Sequence, residues 1–192
     1  MIRESIITTL SAAGALHIAP MGVIWREGHP VLAPFRPSRT LDNLLENPHA
    51  VINHTDDVRL FAGCLTGRRD WPAGPAEKVP GAVIEGALSH QEIAVEGIED
   101  DPVRPRFHCR VVHEAAHRAF LGFNRAQAAV IEGAILISRL ELLPIEKIDR
   151  EMAYLAIAVD KTAGAAEREA WNWLEERLRE FRSGNPAREK KA

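Results

Sequence analysis

Apolar residues occur in short strand-like runs in the first 120 residues of the chain and at helical spacing after them. Short runs rich in β-branched and apolar residues, bounded by turn residues, predict strands in the first part. Residues 41–47 and 58–65 interrupt them with the character of short helices, and residues 66–81 predict a polar loop with several prolines and glycines. The predicted strands cover residues 4–10, 16–20, 22–26, 30–35, 50–55, 83–95 and 106–113.

The last third of the chain has helical spacing. Apolar residues fall on one side of residues 125–140 and again of residues 145–159, and a third helix follows the break at Gly164. In that helix Trp171 and Trp173 are two positions apart, so only one of them can face a core. Strands followed by helices predict an α+β chain, a barrel or curled sheet with a helical region at its end.

Composition narrows the classes of function. The chain has 192 residues, 46% of them hydrophobic and 27% charged, which is typical of a globular protein. A formal net charge of −3 argues against a nucleic-acid partner, and no apolar run has the length of a membrane span. The N-terminus lacks the features of a secretory signal, so we expect a cytoplasmic protein. Cys64 and Cys109 have no metal-type spacing and are expected to be ordinary buried thiols.

Residues 36–40 hold the most informative polar cluster. Arg36 and Arg39 each carry a planar, charged guanidinium group with several N–H donors, and Ser38 and Thr40 each carry a hydroxyl donor. Together these groups suit a phosphate. Thr40 is predicted to be the N-cap of the helix that follows, whose unpaired N–H groups would face the same anion. By themselves these residues also fit an ordinary hairpin followed by a capped helix, and both interpretations stay open at this point.

Five segments in order resemble a known superfamily. The chain is similar to the FMN-binding split barrels of the flavin-reductase-like branch, and most similar to an uncharacterised family described mainly from archaea and methyl-metabolising bacteria. The resemblance spans most of the chain, and its weight comes from the order of the segments. They read Glu4-Ser-Ile-Ile-Thr-Thr, Ala19-Pro-Met-Gly-Val, Pro34-Phe-Arg-Pro-Ser-Arg-Thr-Leu-Asp-Asn-Leu, Val51-Ile-Asn-His-Thr-Asp-Asp and Leu121-Gly-Phe-Asn-Arg-Ala.

The resemblance implies an FMN site. Arg36, Ser38 and Thr40 would hold the phosphate, with Arg39 as a further contact. Pro20, Met21 and Gly22 would line the flavin ring, because glycine lets the backbone approach the ring closely and methionine has a flexible side chain that can pack against it. Asn43 and Asn53 would contact the ribityl chain or the loop backbone. No residue stands out as a catalytic acid or base, which is compatible with chemistry located in the cofactor.

The resemblance also implies an organisation and a function. Residues 1–120 would form the FMN-binding split barrel, residues 121–182 a helical region packing on it, and residues 183–192 a flexible tail. A homodimer with the flavin at its interface would follow by analogy. The implied function is a flavin-dependent oxidoreductase acting on an unknown small molecule, in pterin-linked one-carbon metabolism. A non-catalytic flavin-binding module is the alternative.

One motif competes with the flavin hypothesis. His113-Glu114-Ala115-Ala116-His117 spells a zinc-peptidase signature, in which two histidines one helical turn apart bind zinc and the glutamate acts as a base. That signature requires a helix, whereas residues 107–112 predict a strand that runs into His113. A surface corner between a strand and a helix, with no metal, is therefore expected here, and a zinc hydrolase is kept as the lesser alternative.

Overall fold

A computed structural model describes residues 1–184, and they divide into two compact units. The first unit contains residues 1–56 and 70–120, and the second contains residues 57–69 together with the chain from residue 121 onward. The units do not follow the order of the chain, because residues 57–69 group with the C-terminal helices rather than with the preceding strands. No helix in the described range is both long enough and apolar enough to cross a membrane.

The first unit is a closed antiparallel barrel of six strands, in the order β1-β2-β3-β8-β7-β4, with a separate two-stranded hairpin, β5-β6. Its interior is apolar, with Phe107, Ile52 and Ile93 fully buried. The predicted α+β class, a β-barrel followed by helices, is confirmed. The elements are β1 (Ile2–Leu10), β2 (Leu16–Arg26), β3 (His29–Leu32), α1 (Arg39–Glu46), β4 (His49–His54), β5 (Ala73–Pro75), β6 (Ala82–Ile84), β7 (Ser89–Glu99) and β8 (Arg106–Ala116).

Two predicted divisions into strands are wrong, each for a local reason. Residues 16–26 form one strand rather than two, although Pro20 lies within it. The strand β3 pairs only with Ile24, Trp25 and Arg26, so the side of Pro20 that faces away from β1 has no strand beside it in the described structure. A proline without an N–H is tolerated at such an edge. Residues 83–95 form two strands, because a turn at Gly86, with φ of +80°, separates β6 from β7.

The second unit is helical. It contains α2 (Arg59–Leu65), α3 (Arg125–Ile137), α4 (Ile145–Thr162) and α5 (Ala165–Gly184). Trp171 is buried against α3, where a Cβ on Gly133 would lie 3.0 Å from its ring, whereas Trp173 is half-buried under the Arg68 guanidinium. The prediction that only one tryptophan reaches the core is confirmed. The predicted tail, residues 183–192, lies outside the described residues except for the last two of α5.

Candidate functional site

The start of α1 has the geometry of an anion site, with a different cap from the predicted one. Ser38 is the N-cap, in extended conformation (φ −160°, ψ 151°), and its Oγ accepts the N–H of Leu41 at 3.2 Å. Thr40 lies inside the first turn and is buried, so the prediction that Thr40 caps the helix is wrong. Both residue types suit a cap, and the extended backbone at residue 38 decides between them.

The first turn of α1 keeps donors available for a ligand. The N–H groups of Arg39 and Thr40 have no partner within the helix, because the first residues of any helix lack an acceptor four positions before them. Ser38 is half-buried, and its hydroxyl oxygen accepts a hydrogen bond while its hydrogen can still be donated. The positive end of the helix dipole favours an anion at the same place.

Two predicted arginines flank Ser38 in the sequence. Arg36 is exposed, and its guanidinium pairs with Asp100 at 3.1 Å while its N–H donates to the carbonyl of Val103 at 2.8 Å. Arg39 is exposed on the first turn of α1. The Asp100 pair is exposed and therefore weak, so Arg36 can exchange that partner for an anionic ligand at little cost.

A third arginine, Arg104, fixes the loop before α1, and the sequence does not single it out. The Arg104 guanidinium lies over the Phe35 ring at 4.4 Å and donates to the carbonyl of Ala33 at 2.8 and 3.0 Å, which fixes the loop before α1. Asp101 accepts the N–H groups of Arg104 and Val103, and these bonds hold the pKa of its carboxyl below the usual range. The only signal in the sequence is the position of Arg104 between two prolines, which does not show what it contacts.

The predicted ring-binding segment lies on a free edge of the sheet. Pro20, Met21 and Gly22 are half-buried on β2 and pair with β1 on one side only. Alternate residues of such an edge direct their backbone N–H and C=O groups away from the neighbouring strand. A ligand can bind to the groups on that open side. A Cβ on Gly22 would lie 2.8 Å from the Ile2 side chain and 3.2 Å from Glu4, so only glycine fits there without a shift.

Asn43 and Asn53, the remaining predicted contacts, are buried and have protein partners. The Asn43 amide donates to the Thr9 hydroxyl at 2.9 Å. The Asn53 amide donates to the carbonyl of Ile6, and its oxygen accepts the N–H of Ile84 at 2.9 Å, which fastens β6 to the barrel. Both side chains therefore have structural roles, and their contacts with a cofactor stay predictions.

Replacing Asn53 by leucine tests its structural role. The substitution keeps the volume but removes the acceptor of the buried Ile84 N–H and the donor to Ile6, so we expect the free energy of unfolding to fall by about 2–4 kcal/mol. Urea unfolding followed by circular dichroism measures this change. A variant as stable as the parent would contradict the structural role of Asn53.

The strand β1 connects these elements. Asn43 of α1 bonds to Thr9, and both Pro20 of β2 and Asn53 of β4 lie opposite Ile6. Thr9 and Ile6 are three residues apart, or about 10 Å along a strand. The structure thus brings the helix and the β2 edge to one region of the barrel, as an elongated cofactor requires.

A cavity of about 750 Å³ opens at the end of the barrel where β1 begins and β8 ends. Its wall contains Trp25, whose indole N–H is buried without a hydrogen-bond partner in the described residues, and His54, which contacts Gln91 at 3.2 Å. The sequence does not show that these residues form one wall, because strands distant in sequence bring them together. The cavity is lined by Met1, Arg3, Trp25, Gly28, His54, Leu88, Ser89, Gln91, Ala116, Arg118 and Phe120.

The zinc-peptidase signature does not form the helix that it needs. Residues 113–116 continue β8, with His113 opposite Glu92 and Ala115 opposite His90 of β7, so the predicted corner between strand and helix is wrong. Pairing with β7 extends the strand further than its apolar pattern indicated. His113 and His117 are therefore not one helical turn apart, and Nε2 of His117 lies 2.8 Å from Nδ1 of His90 instead.

Two family profiles match the sequence, one over residues 3–118 and the other over residues 124–176. They describe the N-terminal domain and a second region of a protein of unknown function, DUF447. The chain belongs to the DUF447 family. No curated protein sequence is significantly similar to this DUF447 chain.

Solved structures share the fold. The FMN-bound DUF447 protein MM1853 from Methanosarcina mazei superposes with a TM-score of 0.80 at 19% identity, over 92% of this chain and 95% of that one. The 2-nitrobenzoate 2-nitroreductase NbaA of Pseudomonas fluorescens gives 0.51 at 19%, over 59% and 64%. The NADH:FAD oxidoreductase SgcE6 of Streptomyces globisporus gives 0.51 at 10%, over 59% and 75%. These matches confirm the fold: the match to MM1853 includes the barrel and the C-terminal helical region, and the other two cover 59% of the chain.

Proposed function

We propose that this protein binds FMN and acts as a flavin-dependent oxidoreductase of the flavin-reductase type. The start of α1 carries the proposal, since it offers the Ser38 hydroxyl and two N–H groups without a partner in the helix, and the exposed residues Arg36 and Arg39 flank Ser38 in the sequence. The FMN-bound state of MM1853, which matches almost the whole chain, supports FMN as the anion. The barrel fold shared with an NADH:FAD oxidoreductase supports a redox role.

In this proposal each group has a defined task. Arg36, Ser38 and the N–H groups at the start of α1 bind the phosphate, and Arg39 adds charge. The β2 edge at Pro20, Met21 and Gly22 meets the flavin ring, because the side of this segment that faces away from β1 has no strand beside it in the described residues. When bound, FMN supplies the electron transfer, and the protein supplies position and electrostatics.

A homodimer is part of the proposal. Phe35 and Val103, beside the proposed phosphate site, are each more than half exposed, at 58% and 56%. Apolar side chains with so much exposed surface next to a binding site suit a contact with a second chain. That second chain would also cover the flavin. The unknown small-molecule substrate and the place in pterin-linked one-carbon metabolism, both implied by the sequence resemblance, stay predictions.

The test is a spectrum followed by a reduction. We expect protein purified without added flavin, or titrated with FMN, to show the flavin absorbance bands. Anaerobic addition of NADH or NADPH is then expected to bleach them as hydride passes to the flavin. A protein that takes up no FMN would contradict the proposal. Bound FMN that neither nicotinamide reduces would support the alternative, a non-catalytic flavin-binding module.

A further inference from the structure

Two neighbouring strands of the barrel bring three metal-ligand side chains together. His90 and Glu92 are two residues apart on β7, so they share a face, and His113 lies directly opposite Glu92 on β8. One ligand atom from each of these residues lies within 4.8 Å of the others. All three residues belong to the barrel unit, and the cluster is independent of the proposed FMN site.

An irregularity in β8 makes this meeting possible. Glu92 pairs with His113, but its neighbour Ile93 pairs with Val111, so Val112 is an extra residue. Because adjacent residues of β7 point to opposite faces, Val111 and His113 must also point to opposite faces. On a regular strand they would share a face, and His113 would point toward the barrel core as Val111 does. Such bulges redirect side chains and are common beside functional sites.

The carboxylate of Glu92 is fixed and has one position left for a cation. It is fully buried, and it accepts the N–H groups of Glu77 on Oε1 and of Lys78 and Val79 on Oε2, at 2.7–3.0 Å. An ionised carboxylate offers about four lone-pair sites. Three are therefore occupied, and the fourth, on Oε1, is nearest to Nε2 of His90 at 3.4 Å.

The distance between His90 and Glu92 suits a tetrahedral ion. Ligands bonded to zinc at about 2.0–2.1 Å in a tetrahedron lie about 3.4 Å from each other, and Nε2 of His90 and Oε1 of Glu92 are 3.4 Å apart. Nε2 of His113 lies 3.3 Å from Oε2 of Glu77, an exposed side chain that can supply another oxygen. A proton between His90 and Glu92 occupies the same place when no metal is bound.

A second histidine orients His90 for a metal. Nδ1 of His90 lies 2.8 Å from Nε2 of His117, and this contact leaves Nε2 of His90 toward Glu92. Partners of this kind behind a ligand are common in metal sites, where they fix the orientation of the imidazole ring.

We propose that His90, Glu92 and His113 bind a divalent transition-metal ion of the Zn²⁺ class, with Glu77 or solvent completing the coordination. Two imidazoles and one carboxylate are a donor set found in zinc sites that keep an open position. The site differs from the zinc-peptidase signature, because it uses only His113 of that motif and takes its other ligands from β7.

Zinc titration of the full chain after dialysis against a chelator tests the proposal. We expect the parent protein to bind one equivalent of Zn²⁺ in calorimetry, and His113→Ala to bind at least about 100-fold more weakly, since even residues behind the ligands affect affinity 10–100-fold. The matched control is His108→Ala, another half-exposed histidine of β8, which contacts Glu99 at 3.5 Å. It should bind zinc as the parent does.

Thermal melting without metal shows whether each variant folds. His113 is half-buried and at the surface, so its alanine variant is expected to melt close to the parent. A parent protein without zinc binding would overturn the proposal, as would equal zinc affinity in the parent and in folded His113→Ala. Because no flavin is added, the result is independent of FMN binding.

Discussion

Replacing Arg36 by alanine and Ser38 by glycine together is expected to weaken FMN binding by about 3–6 kcal/mol, which is more than 100-fold. Each side chain is proposed to make a charge-assisted hydrogen bond to the phosphate, and such bonds contribute about 1.5–3 kcal/mol each. Glycine is preferred to alanine at residue 38, because the N-cap position tolerates glycine within a few tenths of a kcal/mol. Calorimetric titration with FMN gives the affinities.

The matched control for this variant is Arg110→Ala. Arg110 is an exposed arginine of the barrel that pairs with Glu96 at 2.8 Å, much as Arg36 pairs with Asp100. We expect Arg110→Ala to bind FMN like the parent. Unchanged affinity in the double variant, or an equal loss in the control, would remove the phosphate site from the start of α1.

The second large effect is expected on stability at Glu92. A glutamine there offers one acceptor oxygen where the carboxylate offers two, and its amide group would oppose backbone N–H donors of residues 77–79. We expect Glu92→Gln to lower the free energy of unfolding by about 3–5 kcal/mol, because the substitution removes charge-assisted hydrogen bonds and leaves buried backbone N–H groups without an acceptor. Urea unfolding measures the loss.

Glu114→Gln is the control for that substitution. Glu114 lies on β8, is exposed, and accepts a hydrogen bond from Gln91 at 3.0 Å. Surface substitutions of this kind usually change stability by less than about 0.5 kcal/mol. If both glutamine variants unfolded at the same urea concentration, the bonds from the Glu92 carboxylate to residues 77–79 would not stabilise the fold.

Glu92 also predicts a dependence of stability on pH. Although burial acts to raise its pKa, the three N–H bonds outweigh that effect and the pKa of the folded protein is lowered. A carboxyl whose folded pKa is lowered stabilises the fold above its unfolded pKa, about 4.3 for glutamate, and loses this contribution as the pH falls through the folded pKa. Acidification below about pH 5 should therefore destabilise the parent more steeply than Glu92→Gln.

Elements with strong local signals could be predicted from the sequence. The three long C-terminal helices follow from apolar spacing, and the helix after residue 38 follows from its capping residues. The cap itself was assigned to Thr40 rather than Ser38, since both residue types fit and only the backbone conformation separates them. The buried, unreactive state of Cys64 and Cys109 was also expected, and burial raises the pKa of each thiol, to about 11 and about 12.

Features set by strand pairing could not be predicted. The bulge at Val112 depends on how β8 registers against β7, and the alternating pattern of residues 106–113 contains no sign of it. The spacing of His90 and Glu92 was visible, but their meeting with His113 arises from pairing across strands. In the same way Asn53 was assigned to a cofactor, because its buried partner, the N–H of Ile84, is more than thirty residues away.

Riboflavin lacks the phosphate of FMN, so it tests directly whether the start of α1 binds that phosphate. Affinities of FMN and riboflavin, measured in the parent and in the Arg36→Ala/Ser38→Gly variant, form a cycle that isolates this interaction. We predict that the parent prefers FMN by at least about 100-fold and that the variant loses most of this preference. An equal preference for FMN in both proteins would contradict the claim.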